Sequence, residues 1–569
     1  MKRLWSIIPQ RYRRRTIWVA VTIFLRALLN FIGVATLIPI LVLILDRDAV
    51  TSNAYAMEAY KLLNADSYSS FVAIVCAIVV GIILVKNIAT LLLYRTERNY
   101  IYSLYKHLSE SLYLSYRNRG LEFIKANNSA VLTRNVNVIS LMFVAGVLKP
   151  IATIISEILL FMLIMGAITW YAPVVALIAM CLFLPVVFVF YFTMRRRLHN
   201  IGELENAAQR LKSRIVAESF RGYADIEIGG AFPQMFKRFE GAVDDIVELR
   251  KRNATIGMLP QMFTEVGLAI GLTSLVLVSL SHSGDNIGMI FGIFAVAAIR
   301  LVPSIRGIMS SWSTIRYNLY TIDTMTGIEH EPAKPTRHTE RFNLHSTIEL
   351  RDISFTFDDA SKPTIDHLSL TINKGERLGI QGASGVGKTT LFNLILGLYR
   401  PTSGSIMIDG EMLTDQNLHK WQNSIGYVSQ SVFISEGTLA ENIAFGCDKE
   451  SIDLKRINEV IDYADLREFV EGLSNGLETR IGEQGSRISG GQRQRIGIAR
   501  ALYKGCDVLL FDEATSSLDN RTEKNINQAI ERLSRDNKSL TIVVIAHRDS
   551  SIEYCDRIVT LQCHDTSTI

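Results

Sequence analysis

The sequence predicts two joined fold classes: an α-helical domain that crosses a membrane six times, with long cytoplasmic helical extensions, and an α/β domain after it. Three observations predict this arrangement. Apolar runs are concentrated in the first three hundred residues, Lys and Arg alternate between the two sides of those runs, and the second half has strand-like runs around a glycine-rich loop. Of the 569 residues, 49% are hydrophobic and 20% are charged, whereas soluble domains carry about 25% charged residues. This composition excludes a fully soluble enzyme and a disordered scaffold.

Six apolar runs are long enough to cross a bilayer, for which about 20 mainly apolar residues are needed. They are Ile17–Leu45, Ser70–Tyr94, Pro150–Thr169, Tyr171–Phe192, Met258–Leu280 and Ile287–Ile308. The first run has no obvious small-residue cleavage site after it and is longer than the apolar core of a signal peptide. We therefore interpret it as an uncleaved membrane anchor.

The distribution of Lys and Arg predicts that both termini and both long connections are cytoplasmic. Residues 1–16 contain six basic residues and no acidic one, and the connections 95–135 and 195–252 contain seven and twelve basic residues. The turns 169–173 and 281–286 have no Lys or Arg. The expected topology is therefore multi-pass, with the connections rich in Lys and Arg on the cytoplasmic side. The net charge of +5 is small and sorted by membrane side, so no nucleic-acid partner is expected.

The long connections contain few helix-breaking residues, so spans two to five are expected to continue as helices beyond the membrane. Turns are expected near residues 119–131 and 221–231, where they would transmit movements of the cytoplasmic half to the helix bundle. Residues 325–346 contain Pro332 and Pro335 and are typical of a linker. The predicted domains are therefore 1–324 in the membrane and 347–569 in the cytoplasm.

Charged residues inside the predicted spans cost roughly 2.5–3.5 kcal/mol each, so they are candidates for function. The functional candidates are Arg26, Lys86, Glu157, Glu265 and Arg300, whereas Arg306, near the end of the sixth span, is expected to extend to the membrane interface. Lys86 and Arg300 are the candidate contacts for an anionic substrate. Two alternatives stay open: the long cationic side chains extend to the membrane interface, or they form ion pairs within the bundle.

The strongest chemical signal is the segment 382–389, which fits G-x-x-x-x-G-K-[ST] between a strand-like run and an apolar helical pattern. Backbone N–H groups of such a loop surround phosphate oxygens, and the following helix N-terminus adds a positive dipole end. Lys388 is expected to reach the β- and γ-phosphates of ATP, and the Thr389 hydroxyl is expected to ligate Mg²⁺. The predicted phosphate-binding residues are Gly382, Ala383, Ser384, Gly385, Val386, Gly387, Lys388, Thr389 and Thr390.

A second strand-like run, Asp507–Phe511, ends in two acidic residues. Asp512 is expected to hold Mg²⁺, and Glu513 is expected to polarise the attacking water as the general base. Phosphoryl transfer needs mainly positioning and charge neutralisation, and these side chains can supply both. The α/β domain is therefore predicted to be a P-loop NTPase.

Between these two motifs lies Ile488–Arg495, in which two glycines precede a basic helix. This segment resembles the signature motif of ABC transporters, with Ile488 in place of the usual leucine. The candidate nucleotide contacts in it are Ser489, Gly490, Gly491 and Gln492. The resemblance covers nearly the whole chain, six spans followed by one ABC domain, as in exporter-type half-transporters. It implies a homodimer in which Ser489 of one chain faces the phosphate-binding loop of the other.

The same resemblance implies roles for single residues. Phe357 would stack on adenine, and Gln430 would contact Mg²⁺ and water. Asp519 would belong to the D-loop, and His547 would contact the γ-phosphate. The catalytic candidates are thus Lys388, Gln430, Glu513 and His547, and the metal-binding candidates are Thr389, Gln430 and Asp512.

Together these features predict an ATP-driven exporter or flippase of an amphipathic substrate, in contact with membrane lipids. The segments Phe31–Pro39 and Arg300–Ser304 resemble bacterial flippases of lipid-linked oligosaccharides, which makes such a lipid the first substrate hypothesis. A lipid or hydrophobic-drug exporter is the first alternative, and an ABC-gated regulator or channel is the second. Six spans with sided charge exclude a non-transporting ATPase of the same family.

Overall fold

The structure of the protein is a computed structural model. It describes residues 2–37, 40, 43, 54–63, 67–171, 173–281, 287–326, 328, 339–358, 360–482, 488–514, 520–546 and 552–562. The chain divides into two compact units. The first consists of Met1–Arg119 with Phe123–Lys334, and the second consists of Gly120–Glu122 with Pro335–Ile569. Each unit has hydrophobic cores of its own, formed by different sets of buried residues.

The first unit is helical throughout its described residues. The helices of the first 326 residues are α1 (Lys2–Ile7), α2 (Gln10–Ala35), α3 (Ala54–Leu62), α4 (Tyr68–Asn118), α5 (Gly120–Ala126), α6 (Ser129–Arg134), α7 (Ser140–Phe143), α8 (Lys149–Tyr171), α9 (Pro173–Arg221), α10 (Tyr223–Ile228), α11 (Phe232–Ser281), α12 (Ile287–Tyr317) and α13 (Tyr320–Thr326). Two π-helical turns, Asn135–Ile139 and Val144–Leu148, connect α6 to α7 and α7 to α8. Within the described residues, six helices are long and apolar enough to cross a membrane, as the sequence predicts.

The long helices extend well past their apolar segments. Helices α4, α9 and α11 contain 51, 49 and 50 residues. At about 1.5 Å per residue each is roughly 75 Å long, more than twice the thickness of a hydrocarbon core. The predicted turns near residues 119–131 and 221–231 contain the short helices α5 and α10. Helix α13 ends at Thr326, past the predicted domain boundary at residue 324, and residues 327 and 329–338 lie outside the described residues.

Pairs of long helices pack along one another in this unit. Helix α9 packs along α11, α8 along α12, and α2 along α4, while α2 also contacts α12. Buried side chains such as Phe183, Leu198 and Leu301 form the core between α8, α9 and α12. Packing of this kind brings together residues of α2, α4 and α12 that are far apart in the sequence.

The second unit contains two sheets in its described residues. The strands are β1 (Thr347–Phe355), β2 (Ile365–Asn373), β3 (Arg377–Gly382), β4 (Ser403–Ile408), β5 (Glu411–Met412), β6 (Ile425–Val428), β7 (Val508–Asp512), β8 (Thr541–Ile545) and β9 (Arg557–Leu561). One sheet has the order β2-β1-β4-β5 and is antiparallel, and the other has the order β6-β7-β8-β3-β9 and is parallel. Strand β7 is buried along its whole length, as strands covered on both faces of a parallel sheet are.

Helices surround the parallel sheet. They are α14 (Lys388–Ile395), α15 (Leu418–Ser424), α16 (Leu439–Ile443), α17 (Leu454–Tyr463), α18 (Arg467–Glu471), α19 (Gly490–Lys504) and α20 (Asn520–Asp536). Strands β3 and β7 flank β8 in parallel, so their carboxyl ends lie at the same edge of the sheet. Ligand sites of open α/β sheets lie at this edge. The glycine-rich loop follows β3. Asp512 is the last residue of β7 and Glu513 comes directly after it, so both motifs lie at this edge of the sheet.

Candidate nucleotide-binding and catalytic site

The glycine-rich loop connects β3 directly to α14. Gly385 and Gly387 have φ angles of 84° and 99°, in the left-handed region that glycine enters without strain. A Cβ atom on Gly387 would also lie 3.0 Å from the carbonyl oxygen of Thr364, so the turn leaves no room for a side chain there. Helix α14 begins at Lys388 immediately after Gly387. The loop therefore presents a helix N-terminus, with its unpaired N–H groups, toward a phosphate group.

The Lys388 side chain folds back into the loop. Its side chain is buried, and Nζ donates hydrogen bonds to the carbonyl oxygens of Gly382 at 2.9 Å and Ala383 at 3.0 Å. These carbonyl groups hold the ammonium group beside the loop in the structure. Phosphate oxygens can replace them as acceptors, with a stronger, charge-assisted bond.

Asp512 lies at the end of β7 and is 2% exposed. Its Oδ1 accepts a hydrogen bond from Thr389 Oγ1 at 3.3 Å, and its Oδ2 accepts one from Tyr427 OH at 3.4 Å. Burial raises the pKa of the Asp512 carboxyl above its usual value, against the effect of the Thr389 hydrogen bond. Burial also raises the pKa of the Tyr427 phenol, with a further contribution from the Asp512 charge. A buried carboxylate beside a threonine hydroxyl is an oxygen-donor set that fits Mg²⁺.

Glu513 follows directly and has a left-handed backbone, with φ of 51°. Such a conformation is uncommon for a non-glycine residue and is concentrated at functional sites. The Glu513 N–H donates to the carbonyl oxygen of Ile545 at 3.0 Å, which fixes the backbone at the end of β8. Gln430 Nε2 donates to Glu513 Oε2 at 2.7 Å. The structure thus brings together the glutamine and the glutamate that the sequence selects independently.

Tyr427 also belongs to this site, although the sequence does not predict it. The residue stands on β6, opposite Leu510 of β7 in the parallel register. A sequence pattern indicates strands but not which strands are neighbours or in what register they pair. The only signal was the position of Tyr427 three residues before Gln430, and that signal does not indicate a contact with Asp512.

Phe357, the candidate for adenine stacking, belongs to an aromatic cluster. Its ring meets the rings of Phe355 and Tyr399 edge-on, with centroids 4.9 Å and 5.6 Å away. Phe355 and Tyr399 stack on each other with centroids 5.1 Å apart. These contacts hold the half-buried Phe357 ring in place while leaving part of it accessible.

The signature segment forms the start of α19. The Ser489 hydroxyl accepts a hydrogen bond from the Gln492 N–H at 3.2 Å, and the Ser489 N–H donates to Gln492 Oε1 at 2.8 Å. This reciprocal cap defines the helix start at Gly490, and Ser489 is exposed. In this single chain the signature therefore faces solvent. Asp519 and His547, two further candidates, lie outside the described residues.

Lys86 and Arg300, the substrate candidates, come from α4 and α12 and lie within electrostatic range of each other. The Lys86 side chain lies against Gly33 of α2. A Cβ atom on Gly33 would lie 2.8 Å from Lys86 Cδ and 3.3 Å from Lys86 Nζ. The Lys86 side chain is thus directed toward a neighbouring helix of its own bundle. Among the described residues, neither cation has an ion-pair partner within 4.0 Å.

The structure supports the ion-pair alternative for Arg26. This residue forms an ion pair with Glu97 of α4 at 2.8 Å, and the two side chains are 13% and 4% exposed. Arg26 is therefore a structural cation and not a substrate candidate. Glu265 and Glu157, the two acidic candidates within the predicted spans, have other contacts. Glu265 accepts a hydrogen bond from Gln261 at 2.9 Å, and the Glu157 side chain lies beside Gly307.

Comparison with known proteins agrees with this geometry. Residues 365–516 match the sequence model of the ABC transporter family. These residues form an ABC transporter domain. Such a domain implies ATP binding, which agrees with the phosphate-binding loop and the acidic pair described above.

Two relatives in sequence carry the same name. Over 385 residues the chain is 31% identical to a protein of Ralstonia nicotianae named ATP-dependent lipid A-core flippase, covering 67% of this chain and 64% of that protein. It is 32% identical over 375 residues to a protein of the same name from Cupriavidus metallidurans, covering 65% and 62%. The matched part of the chain thus spans a little under two thirds of the length of these relatives.

A solved structure matches nearly the whole fold. It is a bacterial Atm1-family ABC exporter with ATP bound, with a TM-score of 0.78 and 20% sequence identity, covering 97% of this chain and 94% of that chain. The fold of this chain is therefore that of this exporter: six helices long and apolar enough to cross a membrane, within the described residues, precede one ABC domain.

Proposed function

We propose that this chain is one half of an ATP-driven exporter that flips an amphipathic lipid with a phosphorylated headgroup across the membrane. One observation carries the ATP-driven part: Lys388, Thr389, Asp512, Glu513 and Gln430 converge at one sheet edge. The same chain contains six helices able to cross a membrane within its described residues. A nucleotide hydrolase that is fused to membrane helices is expected to couple ATP hydrolysis to transport across the membrane.

The chemistry at the site is assigned as follows. The loop N–H groups and the N-terminus of α14 bind the phosphates, and Lys388 exchanges its carbonyl acceptors for phosphate oxygens. Thr389 and Asp512 would hold Mg²⁺, with Gln430 beside them, and the bound ion would supply positive charge that neutralises the phosphates. Glu513 accepts a proton from the attacking water, and its bond to Gln430 holds the carboxylate at the site.

A second copy of the chain completes the site in this proposal. Ser489 stands exposed at a helix start, as expected for a group that binds the nucleotide of a partner chain. Asp519 and His547 keep their proposed roles at the same composite site. Nucleotide binding closes the two copies, and the turns near residues 119–131 and 221–231 transmit this movement. Tyr223 and Ile228 of α10 are 65% and 90% exposed, an apolar area that one chain leaves uncovered.

The substrate class is inferred from Lys86 and Arg300. Two cations of like charge near each other inside a membrane domain repel, and each is costly without a counter-charge. An anionic headgroup that binds between them relieves both costs, whereas a neutral drug relieves neither. The relatives named as lipid A-core flippases support a phosphorylated glycolipid, and so does the resemblance to flippases of lipid-linked oligosaccharides. We propose the bacterial inner membrane as the location, with both termini in the cytoplasm.

The test reconstitutes the full chain in proteoliposomes and measures flipping of fluorescent lipids beside ATPase activity. The panel contains a lipid-pyrophosphate sugar, lipid A and a neutral hydrophobic drug. Lys86→Ala and Arg300→Ala should each lower flipping of the phosphorylated lipids at least tenfold while basal ATPase activity stays within twofold, since loss of one buried ionic contact costs about 1.5–3 kcal/mol. Lys86→Arg and Arg300→Lys, which keep the charge, should retain most of the flipping.

Three outcomes would contradict parts of the proposal. Normal flipping by both alanine variants would remove the anionic-lipid class and favour a substrate without charge. Loss of both flipping and ATPase activity would indicate a structural role for the two cations. ATPase activity that none of the substrates stimulates, in a protein that conducts ions, would favour a gated channel.

A further inference from the structure

The orientation of the Asp512 carboxylate depends on one hydrogen bond to each of its oxygens. Thr389 Oγ1 lies 3.3 Å from Oδ1, and Tyr427 OH lies 3.4 Å from Oδ2. Asp512 is 2% exposed, so water has little access to its carboxylate and cannot easily replace either hydrogen-bond donor. The terminal torsion of an aspartate is broad and has no strong preference of its own. Two donors on different oxygens therefore define which oxygen faces the phosphate-binding loop.

The fold places Tyr427 where it can reach this carboxylate. Strand β6 pairs in parallel with β7, and Tyr427 stands opposite Leu510. Side chains two residues apart on a strand share one face, so Leu510 and Asp512 point to the same side as the Tyr427 ring. The ring is half-buried against the core cluster that contains Leu510, Ile425 and Trp421. Packing fixes the ring, and the hydroxyl at its end fixes the carboxylate.

The same short segment contacts the second acidic residue. Gln430, three residues after Tyr427, donates to Glu513 at 2.7 Å. One segment, 427–430, therefore contacts both carboxylates of the site through two different side chains. A change in its position alters the metal-binding carboxylate and the catalytic glutamate together.

We propose that Tyr427 is a positioning residue for the metal site, which holds Asp512 so that its other oxygen faces Thr389. This inference rests on the proposed function, because it assigns Asp512 to the magnesium ion of Mg²⁺·ATP. Groups that orient metal ligands by hydrogen bonds typically change metal affinity or activity about 10- to 100-fold when removed. The Tyr427 bond is long, so the expected effect is smaller, roughly three- to tenfold.

The test uses the full-length protein in nanodiscs and Tyr427→Phe, which keeps the ring and removes the hydroxyl. Mn²⁺ serves as the probe of the metal site and is titrated by electron paramagnetic resonance in the presence of a non-hydrolysable ATP analogue. The half-saturating Mn²⁺ concentration should rise about three- to tenfold. Affinity for the analogue in EDTA, without divalent metal, should not change. ATPase turnover should fall at limiting Mg²⁺ and recover in part at high Mg²⁺.

Tyr503→Phe is the matched control. Tyr503 and Tyr427 line the same cavity, of about 760 Å³, and the Tyr503 hydroxyl also has a hydrogen bond, accepting from the Asp453 N–H at 2.9 Å. It should leave the Mn²⁺ titration unchanged. Equal Mn²⁺ affinity of Tyr427→Phe and the parent would overturn the inference, and so would weaker analogue binding in EDTA, since the residue would then act on packing. If the parent itself failed to bind Mn²⁺ with nucleotide, the proposed function would be wrong, and the inference with it.

Discussion

The two units differ in how they accommodate charged groups. In the nucleotide-binding unit, Lys388 and Asp512 are almost fully buried, and each is bonded to groups of the same functional site. In the membrane unit, Arg26 is neutralised by Glu97 of another helix, whereas Lys86 and Arg300 lie near each other with like charge. The first arrangement is common to phosphate-binding loops. The second distinguishes a cation that is paired within the fold from two cations that we propose bind an anionic substrate.

This difference gives a physical criterion for function in the membrane unit. A paired buried charge satisfies its own electrostatics, so its removal is expected to damage the fold. Two cations within electrostatic range of each other repel, and in a membrane-crossing helix each carries an insertion cost, so the proposed role for Lys86 and Arg300 is to bind an anion. The sequence identifies the charged residues but not their partners, so it does not distinguish paired charges from unpaired ones.

The largest effect is expected in the nucleotide-binding unit, from Glu513→Gln. General bases contribute about 10²- to 10⁴-fold to turnover, so the variant should lose ATPase activity by at least about a hundredfold. Binding of ATP should persist, because Lys388, Thr389 and the loop N–H groups are untouched. Steady-state phosphate release and equilibrium binding of a fluorescent ATP analogue measure the two properties separately.

Glu459→Gln provides the matched control, since Glu459 is exposed on α17 and remote from the loop in sequence. It should hydrolyse ATP at the parental rate. Parental turnover by Glu513→Gln would show that another group takes the proton from water. Loss of nucleotide binding by this variant would show that the charge of Glu513 serves the structure of the site.

The sequence predicts this unit well because its chemistry is local. The segment 382–389 has its strand, loop and helix in adjacent residues, and the apolar run before Asp512 indicates a strand without any knowledge of its neighbours. The contacts of Tyr427 with Asp512 and of Gln430 with Glu513 depend on the register of β6 and β7, which no local pattern encodes. The predicted and observed elements consequently agree in type and order, while the hydrogen bonds that orient the carboxylates were unforeseen.

In the membrane unit, the sequence predicts the helices but not the partners of the charged residues. Apolar length predicts the six spans, because bilayer thickness constrains every span in the same way, and the scarcity of helix-breaking residues predicts their helical extensions. The partner of each charge depends on helix rotation and packing, and these follow from side-chain shape over a whole helix. Hence Arg26 was grouped with the functional candidates, although it faces Glu97, a residue that lies outside the predicted spans.

The next largest effect is expected from the Arg26–Glu97 pair, which tests the structural half of the comparison. Breaking a buried ion pair by removing one partner costs about 3–5 kcal/mol, since the other charge remains buried. Arg26→Ala and Glu97→Gln should each lower the midpoint of thermal unfolding in detergent. The double variant should be less destabilised than the sum of the two, and this coupling is read from a double-mutant cycle. Additive effects would show that the two side chains do not interact.

The smallest effect is expected at Gly33, which tests the functional half. A leucine there would overlap with Lys86, whose Cδ lies 2.8 Å from the position of a Cβ atom on Gly33. Overpacking at this position is expected to cost about 1 kcal/mol and to displace the Lys86 side chain. Binding of a fluorescent phosphorylated lipid should therefore weaken about fivefold. Gly33→Ala should have less effect, because the flexible lysine side chain can move aside.

Gly81→Leu is the matched control for this experiment, because a Cβ atom on Gly81 of α4 meets nothing within 4 Å. Both substitutions replace a helical glycine with the same better helix former, so intrinsic helix propensity changes equally in the two variants. Gly81→Leu should bind the lipid like the parent. If Gly33 acts only through Lys86, the combination Gly33→Leu with Lys86→Ala should bind no more weakly than Lys86→Ala alone. A further loss in the combined variant would assign Gly33 to helix packing and would separate it from the cation site.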